Sequence, residues 1–343
     1  MGRGIPVSIG AFFVFFLAAG LSGCSSGGGV AVVTYQTPAN VTLTPSATAS
    51  MDVGATLAFT AQAEDNANNA VTQPVSYFSS NSAVVTIAAN GIACAGTWDS
   101  ISSPQVCTPG PTGVAQITGS AQGVSSPPTT VYVHQHIDSI SISPLPTQIN
   151  PIVPCVTKGR TFEYAASAFS RGADITSTVG RFGWTTVNST VVSLNTTVAG
   201  LTQSQVQATA GVPGVSTTFA TLGNVVSVPF DFITCPVRSI ALSVNGNSAN
   251  PIIVTQGSSQ TITATVTDSL GNLVTGVPLT WSSSEPTSVS VTAGTVSQST
   301  PSGTASATAA GGASITASCT PPTCNIGFQP SLPIYPQSAL GIV

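Results

Sequence analysis

Trp281-Ser282-Ser283-Ser284-Glu285-Pro286-Thr287-Ser288-Val289-Ser290-Val291 is the last of three versions of one text. Trp184-Thr185-Thr186-Val187-Asn188-Ser189-Thr190-Val191-Val192-Ser193-Leu194 precedes it, and Tyr77-Phe78-Ser79-Ser80-Asn81-Ser82-Ala83-Val84-Val85-Thr86-Ile87 comes first, all without a gap. Each opens on an aromatic, passes through small polar residues and ends on apolar residues spaced by two, the spacing that puts side chains on one face of a strand. Outward from this text the repeat continues. Gly54, Gly159 and Gly257 precede the aromatics by 23, 25 and 24 residues. Five residues after each glycine stand Phe59, Tyr164 and Ile262, and two further on Ala61, Ala166 and Ala264. The openings Val41-Thr42-Leu43-Thr44-Pro45, Ile140-Ser141-Ile142-Ser143-Pro144 and Ile240-Ala241-Leu242-Ser243-Val244 recur at intervals of 99 and 100 residues. Late in the copies come the alternating runs Gly113-Val114-Ala115-Gln116-Ile117-Thr118 and Ala313-Ser314-Ile315-Thr316-Ala317.

A unit of this length with about seven short strands has the size of an immunoglobulin-like β-sandwich. The motif order resembles the bacterial immunoglobulin-like domains, in particular the group 2 family of intimin- and invasin-type surface proteins. The third copy fits best, the second has a long irregular later half, and the first replaces Trp by Tyr77 and inserts residues 94–107. The resemblance covers residues 39–343 and implies an all-β chain of three tandem sandwiches, at 39–136, 137–236 and 237–343, the third either complete or cut short at its C-terminal end. Prolines 330, 333 and 336 leave only 338–343 for a last strand, so either that strand is brief or the natural product continues. Tyr77, Trp184 and Trp281, one per copy, are expected in the cores, because aromatics dominate packing energetics.

Upstream, Arg3 is followed by an apolar run over 9–19 and by Leu21-Ser22-Gly23-Cys24. This is the order of a secretory signal, and the run is shorter than the roughly 20 residues needed to span a bilayer. The tetrapeptide resembles the lipobox of bacterial lipoproteins, which implies a signal peptide over 1–23 and lipid on the sulfur of Cys24; the alternative is a plain signal peptide cut nearby. Residues 24–38, with Ser25-Ser26-Gly27-Gly28-Gly29, form a flexible tether. Ser25 after the cysteine favours, by the same resemblance, the outer membrane or cell surface.

Only 5% of residues are charged and the net charge is -4, against a usual charged share of about 25%. Six Lys plus Arg in the whole chain argue against nucleic acid, which is held by clustered cations. Apolar residues make up 42% and lie in short alternating runs, the pattern of packed strands rather than of disorder.

Besides Cys24 there are six cysteines. They allow 15 pairings. The sequential set, Cys94 with Cys107, Cys155 with Cys235 and Cys319 with Cys324, keeps each pair inside one copy. By chain entropy the long middle loop would contribute roughly 3 to 5 kcal/mol. The Cys94 to Cys107 insertion, carrying Trp98, is expected to lack regular structure, and zinc is disfavoured because no CxxC knuckle is present.

Chemistry-bearing residues are few. His134 and His136 alternate on what should be the last strand of the first copy, near Asp138, and could face one side as metal ligands would; packing or surface roles are the commoner outcome. Glu64-Asp65-Asn66 and Asp268-Ser269-Leu270-Gly271-Asn272 are oxygen-rich, yet Asp, Asn and Gly are ordinary turn residues. No nucleophile elbow, HExxH or phosphate loop occurs. The expectation is a monomeric, non-catalytic, lipid-anchored envelope protein without cofactor or metal, its sandwiches forming a stalk or adhesive module. The alternative is a binding module for a surface glycan or protein, with Trp98 as its candidate contact, or a non-catalytic fragment of a larger surface protein or enzyme. Tight joins near 136–138 and 236–238 make the string semi-rigid.

Overall fold

The computed structural model describes residues 37–99, 105–145, 154–248, 251–294, 300–328 and 337–343; the signal segment and Cys24 lie outside them. The third copy is the simplest. Its strands, in chain order, are Val237–Val244, Ser259–Asp268, Thr280–Ser283, Val289–Ala293, Ser302–Ala307, Ala313–Ser318 and Gln337–Ile342. The first, second, fifth and fourth of these form one sheet, and the third, sixth and seventh the other. That is the strand order of a constant-type immunoglobulin sandwich. Alternation makes it: Ile262, Ala264 and Val266 turn inward at 0% exposure while the threonines between them face out. They meet Ile315, Ala317, Leu340 and Ile342 from the opposite sheet. Burying each of these Ile, Leu and Val side chains stabilises by about 1.5–3 kcal/mol.

The second copy repeats the order. Ser139–Pro144, Thr161–Ser170, Gln205–Ala210 and Val192–Asn195 lie side by side in one sheet. In the other, Gly214–Leu222 pairs with Gly183–Thr186, Val225–Val226 and Phe230–Thr234. The later half that looks irregular in sequence is therefore regular in pairing.

The first copy departs at Phe59. Thr56–Ala58 pairs with Ile92–Cys94, and Thr60–Glu64 pairs with Asn40–Thr44, so one continuous strand elsewhere is split here. Phe59 sits between the halves at 1% exposure, its N–H bonded to the Gly91 carbonyl at 2.8 Å. Gly91 has φ +83°, and a Cβ there would lie 2.3 Å from the Phe59 carbonyl oxygen, so only glycine fits. The opposite sheet joins Ser76–Ser79, Gly113–Ala121, Thr129–His134 and Thr48–Asp52.

One device closes all three sandwiches. After its opening strand the chain crosses to the other sheet and runs parallel to the last strand: Thr48–Asp52 along Thr129–His134, Val156 beside Thr234, and Ile252 beside Ile342.

Tyr77, Trp184 and Trp281 are half-buried and pack against the core rather than forming its centre, which belongs to residues such as Phe59, Phe232, Ile262 and Ile315. The Tyr77 hydroxyl accepts a bond from the Ala61 N–H at 3.1 Å. Trp281 lies over Gly303, where a Cβ would come within 2.8 Å of the indole. The bonds Cys94–Cys107, Cys155–Cys235 and Cys319–Cys324 are formed. Contrary to expectation, the Cys94 to Cys107 segment contains regular structure: Gly96–Trp98 pairs with Cys107–Pro109, and the disulfide ties the second arm to Cys94 at the end of the preceding strand Ile92–Cys94. Gln337–Ile342 is a full six-residue strand.

Candidate functional site

Side-chain chemistry in this charge-poor chain collects at the joins between sandwiches. At the second join Asp268, ending its strand, caps its own turn: Oδ1 accepts the N–H groups of Leu270 and Asn272, both at 2.9 Å. Oδ2 accepts from the Thr157 hydroxyl of the preceding sandwich at 2.7 Å. The Asn272 amide donates to the same hydroxyl at 3.0 Å, closing a triangle. Asp268 is 1% exposed, so these bonds replace the water its charge has lost. Lys158 donates to the carbonyls of Thr275 at 2.9 Å and Gly276 at 2.7 Å, and burial pulls its ammonium below the ordinary lysine range. On the other side Ile326, just past the Cys319–Cys324 bridge, exchanges backbone bonds with Pro213 and Val215. Asn325 bonds the N–H and carbonyl of Val237.

On the first-sandwich side of the first join, Asp52 gathers the last strand and the linker. His136 Nδ1 lies 2.7 Å from Asp52 Oδ2, and this bond, with the carboxylate's charge, raises the His136 pKa above its usual value. His134 Nδ1 lies 2.7 Å from the Gln135 carbonyl and 3.4 Å from Asp52 Oδ1. A carbonyl only accepts, so His134 carries its proton on Nδ1, leaving the buried Nε2 without a hydrogen-bond partner. The expected alternation is corrected: the strand stops at His134, which is buried, and His136 belongs to the linker and is exposed. Both rings turn to Asp52, a residue the sequence reading did not single out. Asp138 accepts the Arg171 N–H, while Gln203 donates to the Tyr132 hydroxyl at 2.7 Å.

Among the described residues no group of three or more His, Cys, Asp or Glu is arranged to hold a metal ion. Asp65 and Asp268 both form capped turns: Asp65 Oδ1 accepts from Ala67 at 2.8 Å and Asn69 at 2.9 Å. Trp98 lies half-buried on its hairpin, its indole nitrogen enclosed and without a hydrogen-bond partner. Beside the first join an open cleft of about 440 Å³ is lined by Asp174, Thr176, Ser177, Thr202, Gln203 and Ser204. Another, of about 340 Å³ at the second join, is lined by Phe162, Tyr164, Phe230, Arg160 and Leu270. The chain's two histidines both lie at the first join, His134 bonded to the Gln135 carbonyl and His136 to Asp52. Among the described residues no helix is long and apolar enough to cross a membrane.

Fold and joins together define a chain of immunoglobulin-type sandwiches linked by side-chain clasps. No protein-family model matches it, and no curated protein does. Solved structures similar to it include surface layer protein SbsC, domains 1–6, at 14% identity over 90% of this chain and 40% of that one, with a TM-score of 0.25. The Escherichia coli adhesin FdeC is 16% identical over 89% of this chain and 96% of that one, TM-score 0.27. An endo-fucoidan hydrolase is 13% identical over 90% and 44%, TM-score 0.28. This chain thus spans about two fifths of the SbsC structure. At these values the fold assignment rests on strand order alone.

Proposed function

We propose that this is a non-catalytic cell-envelope protein, lipid-anchored through Cys24, whose sandwiches serve as a stalk or adhesive spacer. The observation that carries the reading is the second join, where the buried Asp268 is bonded to Thr157 of the preceding sandwich. Sandwiches meant to swing freely have no use for a buried carboxylate bonded across the boundary, whereas a spacer needs each join fixed. The surface suits contact through hydrogen bonds: the outer face of the four-stranded sheet in the third sandwich carries Ser239, Ser243, Thr261, Thr263, Thr265 and Thr304, with no acid among them. The signal-like segment and lipobox-like tetrapeptide support export and anchoring. Expression in a Gram-negative host fed an alkyne-tagged fatty acid tests the anchor. Label is expected on the wild-type chain in the membrane fraction and absent from Cys24→Ser. Equal labelling of both, or none on either, contradicts the anchor.

A further inference from the structure

The clasp of the second join recurs, in halves, at the two ends of the described chain. Its acceptor half is Asp268 with Asn272, four residues on, in a turn where the Asp268 N–H bonds the Asn272 carbonyl at 3.0 Å and Oδ1 accepts the N–H groups of Leu270 and Asn272. The first sandwich builds the same turn from Asp65 and Asn69: the Asp65 N–H bonds the Asn69 carbonyl at 3.0 Å, and Oδ1 accepts from Ala67 and Asn69. The donor half is Thr157, whose carbonyl accepts the Arg160 N–H at 3.0 Å, two residues before Gly159 at φ +80°. In the third sandwich Thr255 occupies the matching place: its carbonyl accepts the Ser258 N–H at 3.1 Å, and Gly257 stands at φ +79°. The preceding residues agree as well, since Val156 donates to Ile233 in the last strand of its sandwich and Val254 to Val343, the residue after the last strand of its own.

Within the chain, Thr157 is covered by the next sandwich. Thr255 is exposed, and beside it opens an apolar cleft of about 370 Å³ lined by Val254, Ala307, Ala309, Gly312, Ile342 and Val343. We infer that this end docks a second copy of the chain head to tail, Thr255 donating to Asp65 and accepting from the Asn69 amide of the other molecule as Thr157 donates to Asp268 and accepts from Asn272 within one. The occupant is argued from continuity with the internal join, whose acceptor turn the first sandwich reproduces in its backbone bonds and in the two N–H groups that Oδ1 accepts; the Asn69 amide, which would have to turn to Thr255 as Asn272 turns to Thr157, bonds the two Asp65 oxygens at 3.3 and 3.2 Å. Gln256 stands where Lys158 supplies its ammonium, so the contact between copies lacks that cation and is weaker than the covalently linked join. Such an interface joins unlike surfaces and leaves both outer ends open, which generates rows rather than closed dimers. This departs from the monomer expected from sequence, and it does not depend on the lipid anchor.

Sedimentation velocity of the purified chain over micromolar to millimolar concentrations tests it. The wild type is expected to grow in size with concentration. Thr255→Lys and Asp65→Lys, both at surface turns and checked for folding by circular dichroism, should each weaken association by about tenfold or more. Mixed together, the two variants retain one intact contact, the Thr255 of one with the Asp65 of the other, and should form a one-to-one dimer that goes no further. Monomer at every wild-type concentration overturns the inference. So does association that both substitutions leave unchanged, which would place the contact elsewhere, and so does failure of the mixture to pair.

Discussion

Single side chains decide how firmly the sandwiches are coupled. Thr157→Val keeps the shape of the residue and deletes the hydroxyl, leaving a carboxylate oxygen of the 1%-exposed Asp268 without its cross-boundary donor. Leaving a buried polar group unpaired costs about 1–3 kcal/mol, and more for a charge. Urea unfolding should show that loss, with Thr157→Ser recovering most of it. His136 gives a pH signature. Its pKa is raised by the bond to Asp52, so its contribution is complete below the ordinary histidine range and fades as pH rises through the raised value. An NMR titration should find His136 holding its proton to higher pH than a free histidine, and Asp52→Asn should remove the difference. Neither partner was legible in sequence. His134 and His136 were visible as a pair, but the acid they face lies 82 and 84 residues upstream, brought beside them by a parallel strand pairing that no local pattern announces. Asp268 was visible as a turn former, which it is; its second oxygen is used across the join.

Strands and their staples were far more legible. The glycine, alternating strand and aromatic fixed the order of elements because spacing by two translates directly into inward and outward faces. Phe59 shows the limit: its place on the core face was readable, while the break of its strand between two sheets depends on Gly91, 32 residues away. The hairpin at Trp98 was hidden for a related reason, since the Cys94–Cys107 bond supplies the order that a short, proline-containing run lacks. The Cys155–Cys235 bond spans 80 residues and ties the crossing segment to the last strand of its sandwich. By loop-closure entropy, replacing both cysteines with alanine should cost about 4 to 5 kcal/mol, read as a lower denaturation midpoint. Gly303→Val drives carbon into the Trp281 ring, which lies 2.8 Å from the Cβ position. Overpacking of this kind typically costs about 1–3 kcal/mol, and the tryptophan fluorescence should shift as the indole is displaced.

At the level of the whole chain the joins make the difference between a string of beads and a spacer. Composition and repeats announced sandwiches in series; whether the joins hold them depended on Tyr132, Gln203, Thr157, Lys158 and Asp268, residues without a motif. Small-angle scattering of the purified chain, extrapolated to infinite dilution to remove association between copies, tests the spacer reading most directly. The expected distance distribution has its main peak at the size of one sandwich and a long tail set by sandwiches placed end to end, reproduced by one fixed arrangement. A symmetric, single-peaked distribution, from sandwiches packed side by side in a globule, would contradict it, as would a curve that only a broad ensemble of join angles can fit.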